Sequence, residues 1–498
     1  MNVNTEKIKE WSKTRIKQDQ IEKYMKDGKD FIDDDCIFSR LSECKQADKE
    51  RIRDIIAKSL NIETLTLDET AYLLNVQDTE LIQGMHEAAL SIKKKVYDNR
   101  IVTFAPLYLG NFCVNDCLYC GFRKSNEGSK RRVLSLDEVK KETEVLAGEI
   151  GHKRLIVVYG EHPNNSIDYM IDSIKAIYSV KAKTKHGFGS IRRVNVNAPP
   201  LSIEELKRLH EAGIGTYQVF QETYHRKTYE VLHPRETIKG DYRWRLYSMH
   251  RSQEAGIDDV GLGVLFGLYN WRFEVMGLVT HSIALEEAFG IGPHTISFPR
   301  LEPATNAPFT MESKYKVSDD DFKKLITVIR LAVPYTGMII TARETAQIRR
   351  DALSLGVTQT DASTKIGIGA YSDKMPQQQG DRQQFILGDT RSLDEVIREF
   401  ASMGYITSFC TAGYRCGRTG KCIMDLLRSG QEGKFCKLNA VLTFREWLDD
   451  FASEDTKKVA EPVIQDEIAQ IKQQMPKTFP EFIKYYERIK NGERDLYF

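Results

Sequence analysis

Apolar residues recur first at three- and four-residue intervals, change near residue 100 to short continuous runs, and return to helical spacing towards the C-terminus. Up to residue 98, the spacing of Ile52, Ile55, Ile56 and Leu60, and of Leu81, Met85 and Leu90, predicts helices with charged outer faces. Asp68 and Glu69 ahead of Ala71, Leu73 and Leu74 mark a helix start. β-Rich runs follow at 101–109, 154–159, 192–197, 215–221, 259–266, 295–301, 338–342 and 356–359. Amphipathic stretches at 136–146, 167–180, 203–211, 273–289 and 319–331 separate them. Eight such repeats over about 260 residues predict an α/β fold, a complete (β/α)8 TIM barrel. The polar run 372–391 has no apolar period and predicts a linker. The expected organisation is therefore a helical segment at 1–98, a barrel at 99–371, the linker, and a mostly helical C-terminal domain at 392–498.

Barrels of this kind collect their active-site residues at the C-terminal ends of the strands. Gly160 and Glu161 follow the second run, and Arg193, Asn195 and Asn197 punctuate the third. Gln218, Gln221, Glu222 and Tyr224 close the fourth, Arg300 and Glu302 follow the sixth, and Arg343 ends the seventh. A single Asn or Gln is more commonly a satisfied polar group under the rim; the shared position is what points to a site.

Charge is balanced, 72 basic against 71 acidic residues, with no long basic run, which argues against a nucleic-acid partner. Residues 1–34 are charged throughout and no stretch reaches transmembrane length, so a cytoplasmic protein without membrane association is expected. The nine cysteines fall into a pair (Cys36, Cys44), a central triplet and a C-terminal group of four, a clustering that suggests metal or cluster binding rather than disulfides.

The triplet Cys113, Cys117 and Cys120 is spaced C-x3-C-x2-C just past the run 101–109. Thiolates so close together hold either zinc or an iron–sulfur cluster. Structural zinc takes four protein ligands, and the other cysteines are distant in sequence. A cubane held by three thiolates leaves one iron open, where chemistry can occur. A zinc knuckle is the competing reading.

With Tyr119 before its third cysteine, at the end of a first strand, the triplet resembles the radical S-adenosylmethionine signature. The resemblance implies a [4Fe-4S] cluster on Cys113, Cys117 and Cys120 whose open iron chelates S-adenosylmethionine. It places Gly160 and Glu161 at the motif that receives the methionyl amine, and Tyr119, Arg193 and Asn195 on the cofactor's wall. Longer matches, among them FAPLYLGNFCVNDCLYCGFRKSN, GTYQVFQETYH, GIDDVGLGVLFGLYN, FGIGPHTISFPRLEPA and LAVPYTGMIITARE, resemble the HydG family, tyrosine lyases that mature [FeFe]-hydrogenase. That family implies cleavage of the Cα–Cβ bond of L-tyrosine by a 5′-deoxyadenosyl radical to p-cresol and dehydroglycine. It also implies a reductant such as flavodoxin or ferredoxin, and hydrogenase-maturation partners.

For a tyrosine carboxylate, Arg343 is the first candidate anchor and Arg300 the second, since a guanidinium fork matches a carboxylate. A salt bridge between Arg343 and Glu344 is the alternative. Asp361 stands where the family has a small hydroxyl residue, and an aspartate beside Arg343 would compete for it. The family's second iron–sulfur cluster uses C-x2-C-x22-C; here Cys410 and Cys436 match the first and third positions, but Gly413 occupies the middle. Cys416 and Cys422 lie close by, so a rearranged set such as Cys410, Cys416 and Cys436, or a zinc site on all four, stays open. His281 is the implied ligand of an extra iron, with a helix histidine at the barrel rim as the equal alternative. Three readings follow. The first is a tyrosine lyase with a remodelled second cluster, or a paralogue acting on another aromatic amino acid. The second is a full maturase making carbon monoxide and cyanide with Cys416 or Cys422 as substitute ligand. The third is a non-catalytic iron–sulfur or zinc scaffold.

Overall fold

The computed structural model describes residues 5–45, 48–373, 381–417, 420, 426 and 432–498. Cys422 lies outside the described residues. Among the described residues six helices precede the first strand, the longest being Thr79–Tyr97. Their starts are chemically fixed. Asp33, Asp48 and Asp78 each accept a backbone N–H of the first turn, and Thr66 and Glu69 form a reciprocal capping box.

The barrel strands are β1 (Arg100–Gly110), β2 (Arg154–Tyr159), β3 (Arg193–Asn197), β4 (Tyr217–Gln218), β5 (Val260–Gly263), β6 (Thr295–Ser297), β7 (Gly337–Ile340) and β8 (Gln359–Asp361). Each pairs in parallel with the next, and Val102 of β1 opposite Gln359 of β8 closes the barrel. Every residue of β1 is buried, as a strand covered on both faces requires. The eighth strand begins at Gln359, later than the sequence pattern suggests. Gly356, at φ +109°, is still turning beneath the Arg330 side chain, and pairing starts only after it.

A ninth parallel strand, β9 (Ile406–Ser408), adds to the outside of β1 with Ile406 opposite Arg100, inside the region that reads as helical from sequence. Among the described residues the short helix Ala412–Arg415 and three longer ones, Glu432–Phe451, Glu454–Gln474 and Phe479–Lys490, follow it, and the first of the longer three carries Cys436. The helix Glu432–Phe451 is seated by a buried ion cluster: Lys153 Nζ is 2.8 Å from Glu446 Oε1, and Arg192 Nη1 is 3.1 Å from Oε2. One apolar core runs from Ile21 through the barrel to Ile489. Among the described residues no helix is long and apolar enough to cross a membrane.

The polar run after the barrel does more than connect. Residues 381–389 return across the strand ends, where Gly121 N–H donates to the Gln384 carbonyl (3.1 Å) and Ile386 N–H to that of Pro303 (2.9 Å). Gly388 and Asp389 N–H both donate to the Ala342 carbonyl, at 2.8 and 3.0 Å. These bonds make the segment a strap over the mouth of the barrel.

Candidate active site

The loop after β1 carries the three closely spaced thiols and is fixed by its backbone. Val114 N–H donates to the Glu161 carbonyl (2.8 Å), Leu118 N–H to Leu232 (3.2 Å), and Lys124 N–H to Asn115 (2.8 Å). Gly160 is required here: a Cβ would lie 2.3 Å from the Phe112 carbonyl oxygen. Cys113, Cys117 and Cys120 line one cavity, together with Tyr119, Gly160 and Glu161. Burial pushes the Cys117 thiol up to about 12, against Lys239, with the charges of Cys120 and Cys113 adding to the shift. Burial and Cys120 likewise raise Cys113. The three sulfurs therefore share one electrostatic neighbourhood. Asn115 braces it, donating to Glu161 Oε2 at 2.6 Å and to Cys113 Sγ at 3.7 Å.

The cavity encloses about 1430 Å³ of atom-free space, part of it open to solvent, between the strand ends and the strap. Its wall is largely apolar, with Phe104, Ile156, Val158, Phe220, Leu265 and Ile339. On one side Glu222 accepts from Lys239 Nζ (2.7 Å) and Arg245 Nη2 (3.3 Å). Glu222 adopts φ +72°, a left-handed conformation that a non-glycine residue holds only where its surroundings enforce it. On the other side stands Arg343, whose guanidinium lies 3.2 Å from the centre of the Phe385 ring. Glu344 is taken instead by Arg300, and no hydrogen bond or ion pair joins Arg343 to another described residue. Burial lowers the Arg343 pKa, opposed by Tyr108, Glu302 and Glu222. A cation in such a position is a receptor for an anion.

The Radical SAM superfamily pattern matches residues 107–275, and the Biotin and Thiamin Synthesis associated domain matches 297–406. The chain is 30% identical over 375 residues to 2-iminoacetate synthase of Escherichia coli, covering 75% of this chain and 92% of that protein. The chain belongs to the radical SAM superfamily. It superposes with a TM-score of 0.89 on the crystal structure of HydG, a maturase of the [FeFe]-hydrogenase, at 48% identity over 94% of this chain and all of that one. HydG from Carboxydothermus hydrogenoformans gives a TM-score of 0.74 at 35% identity, over 96% of this chain and all of that one. As a radical SAM enzyme the protein uses a [4Fe-4S] cluster and S-adenosylmethionine. The residues present fit both groups. Three thiols face one cavity, and Glu161 presents a buried Oε1 with no hydrogen-bond partner, a complement to the cationic methionyl end. No three His, Cys, Asp or Glu side chains among the described residues are arranged around a single metal ion. Tyr119 also lines the cavity, its hydroxyl 2.8 Å from His233 Nε2.

Other residues singled out from sequence are divided between the cavity and its surroundings. Arg193 and Asn195 are on the inward face of β3 but at its lower end: Arg193 Nη2 is 3.3 Å from Asp259 Oδ2, and Asn195 Oδ1 accepts Thr216 N–H at 3.0 Å. Only Asn197, two residues further, reaches the cavity. Arg300 is closed off by Glu344, by Asp319 Oδ1 (2.7 Å) and by the Val317 carbonyl (3.1 Å). Asp361 lines the cavity without engaging Arg343: Ala342 N–H and the Thr364 hydroxyl donate to its two oxygens, each at 2.7 Å. The competition expected from sequence is thereby removed. Lys239, Arg245 and Gln384 belong to the site and carry no sequence signal, since each arrives from a segment between predicted elements.

Among the described C-terminal cysteines, Cys410 and Cys436 share a buried neighbourhood with Arg100 and Tyr97. Cys436 hydrogen-bonds the buried Arg100, whose charge also feels Cys410. Exposed Cys416 instead donates to the Phe498 carbonyl at 3.5 Å. Gly413 lies within the short helix Ala412–Arg415. His281 is buried against Phe31 and His250, with Nδ1 2.9 Å from the Tyr224 hydroxyl and Nε2 unpartnered among the described residues. None of these contacts is a cysteine.

Proposed function

We propose that the protein is a radical lyase that breaks the Cα–Cβ bond of L-tyrosine to give p-cresol and dehydroglycine. The observation that carries this reading is Arg343, an unpaired cation in the cavity that the three thiols also line. The similarity to 2-iminoacetate synthase supports it, because 2-iminoacetate is dehydroglycine under its systematic name. The HydG structures support it further.

When bound, the cluster and S-adenosylmethionine supply the 5′-deoxyadenosyl radical. The chain's own part is aim and enclosure. Arg343 takes the substrate carboxylate in a forked contact and so fixes the position of Cα at the end of β7. Glu161 and Asn115 hold the cationic cofactor end beside the thiol loop. Glu222 balances Lys239 and Arg245, leaving Arg343 as the cation open to an incoming anion. The apolar wall and the strap keep water from the reacting centre.

Further conversion to carbon monoxide and cyanide needs the C-terminal cysteines, of which Cys410 and Cys436 lie near Arg100 and Gly413 supplies no thiol. Anaerobic reconstitution, reduction and incubation with S-adenosylmethionine and L-tyrosine tests both steps. The expected products are 5′-deoxyadenosine and p-cresol. Deoxyadenosine without p-cresol would mean another substrate, and no deoxyadenosine from a well-formed cluster would refute an enzymatic role. Carbon monoxide and cyanide in the same vials report how far the reaction runs.

A further inference from the structure

The strap brings a side chain from the far end of the barrel sequence onto a cluster thiol. Gln384 Nε2 donates to Cys120 Sγ at 3.4 Å, and its Oε1 accepts from the Tyr108 hydroxyl at 3.1 Å. Phe122 N–H also donates to Cys120 Sγ at 3.4 Å, but that bond is local to the loop. The Gln384 contact spans 264 residues. It is held by its own backbone, because the Gln384 carbonyl accepts Gly121 N–H (3.1 Å) and a Cβ on residue 121 would lie 2.7 Å from that oxygen. The neighbouring residue, Phe385, lies against the Arg343 guanidinium.

We propose that Gln384 is a positioning residue for the cluster, one that sets its reduction potential through the N–H···S bond to Cys120. A reduced cluster carries more negative charge on its sulfurs, and a donor aimed at one of them stabilises that state and raises the potential. Tyr108 fixes the orientation of the amide: with Oε1 bound to the hydroxyl, the NH2 group faces the sulfur. The geometry also explains why a polar, aperiodic stretch lies across the barrel mouth instead of out in solvent. This inference rests on the family's cluster and is independent of which amino acid is cleaved.

The test is a redox titration of the reconstituted holoprotein without substrate, followed by the electron paramagnetic resonance signal of the reduced cluster. Gln384→Leu should move the midpoint to a more negative potential by up to about tenfold in the reduction equilibrium, roughly 59 mV for a one-electron couple. Gln384→Glu keeps the bond from Tyr108 but replaces the donor with an oxygen, and should move it at least as far. If Gln384→Leu reduces cluster loading, Gln384→Glu carries the test. Phe385→Leu loosens the strap without touching a sulfur and should leave the midpoint in place. Unchanged midpoints in both Gln384 variants would overturn the proposal, as would an equal shift in Phe385→Leu, which would assign the effect to strap packing. Because no substrate is present, failure here is distinct from failure of the lyase reading.

Discussion

The two cysteine groups are made of the same residues and prepared to very different degrees. Cys113, Cys117 and Cys120 lie within eight residues of one another on a loop fixed from three directions, by Glu161, by Leu232 and by the strap at Gln384. Their thiols face one cavity and feel one another's charge. Cys410 and Cys436 share the neighbourhood of Arg100 and Tyr97, and the Cys416 thiol donates to the Phe498 carbonyl. The matched family patterns follow the same division: the first covers the triplet and the second ends at 406, before any C-terminal cysteine. Short loops with backbone partners assemble a site from adjacent residues, whereas ligands on separate helices depend on how those helices are held.

The largest expected effect separates the groups outright. Cys120→Ser should abolish 5′-deoxyadenosine formation and lose the first cluster's iron, because three thiolates is the minimum that leaves one iron open to the cofactor. Retained cofactor cleavage in that variant would mean that the triplet does not hold the cluster. Next in size is Arg343→Ala. Removing the cation that, among the described residues lining the cavity, has no carboxylate partner should cost about 2–5 kcal/mol in kcat/KM for tyrosine. Arg343→Lys should recover only part of it, since a point charge replaces a fork. Full recovery of the parent kinetics by Arg343→Lys would refute the bidentate contact.

What was legible in the sequence follows from the same contrast. Short β-rich runs showed the barrel strands, and C-x3-C-x2-C marked the loop whose three thiols line one cavity, because both patterns are local. Arg193, Asn195 and Asn197 were visible as polar residues punctuating the third run, but not how high on β3 each one sits, and of the three only Asn197 reaches the cavity. Arg300 and Arg343 are the same residue type at comparable strand ends. Their roles diverge because Glu344 folds back onto Arg300, a contact between residues 44 positions apart. The strap read as a linker since its structure consists of hydrogen bonds to Gly121, Pro303 and Ala342, none of which leaves a periodic trace.

A third prediction concerns the frame under Cys436, on the helix Glu432–Phe451. Glu446 on that helix is buried between Lys153 and Arg192. Burial alone would raise its pKa, but the two cations hold it well below the usual carboxylate range. Burial and neighbouring Arg192 keep Lys153 itself below the ordinary lysine value, so the net benefit of the cluster is carried by the glutamate. A carboxylate depressed in the folded state stabilises above its unfolded pKa, near 4.3, and that stability is lost as pH falls below it. Glu446→Gln should cost about 3–5 kcal/mol near neutral pH, as two buried cations lose their partner, and the deficit relative to the parent should narrow in acid. Denaturant unfolding at a series of pH values measures it; a deficit independent of pH would exclude the charge interaction as its source.

The smallest expected effect bears most directly on the second group. If Cys416 were the substitute for the missing cysteine at Gly413, Cys416→Ser should strip iron from the C-terminal site as completely as Cys436→Ser does. The positions of the two thiols argue otherwise. Cys436 bonds the buried Arg100 at the foot of β1, while Cys416 is exposed and bonded to Phe498. An exposed side chain with one weak sulfur contact contributes at most about 0.5 kcal/mol to stability. Iron analysis of reconstituted Cys416→Ser should therefore match the parent protein, with a change in melting temperature too small to separate from it. Loss of C-terminal iron in that variant would show that cluster binding draws the turn after Ala412–Arg415 inward. The second group would then be assembled by its metal, where the first is assembled by its fold.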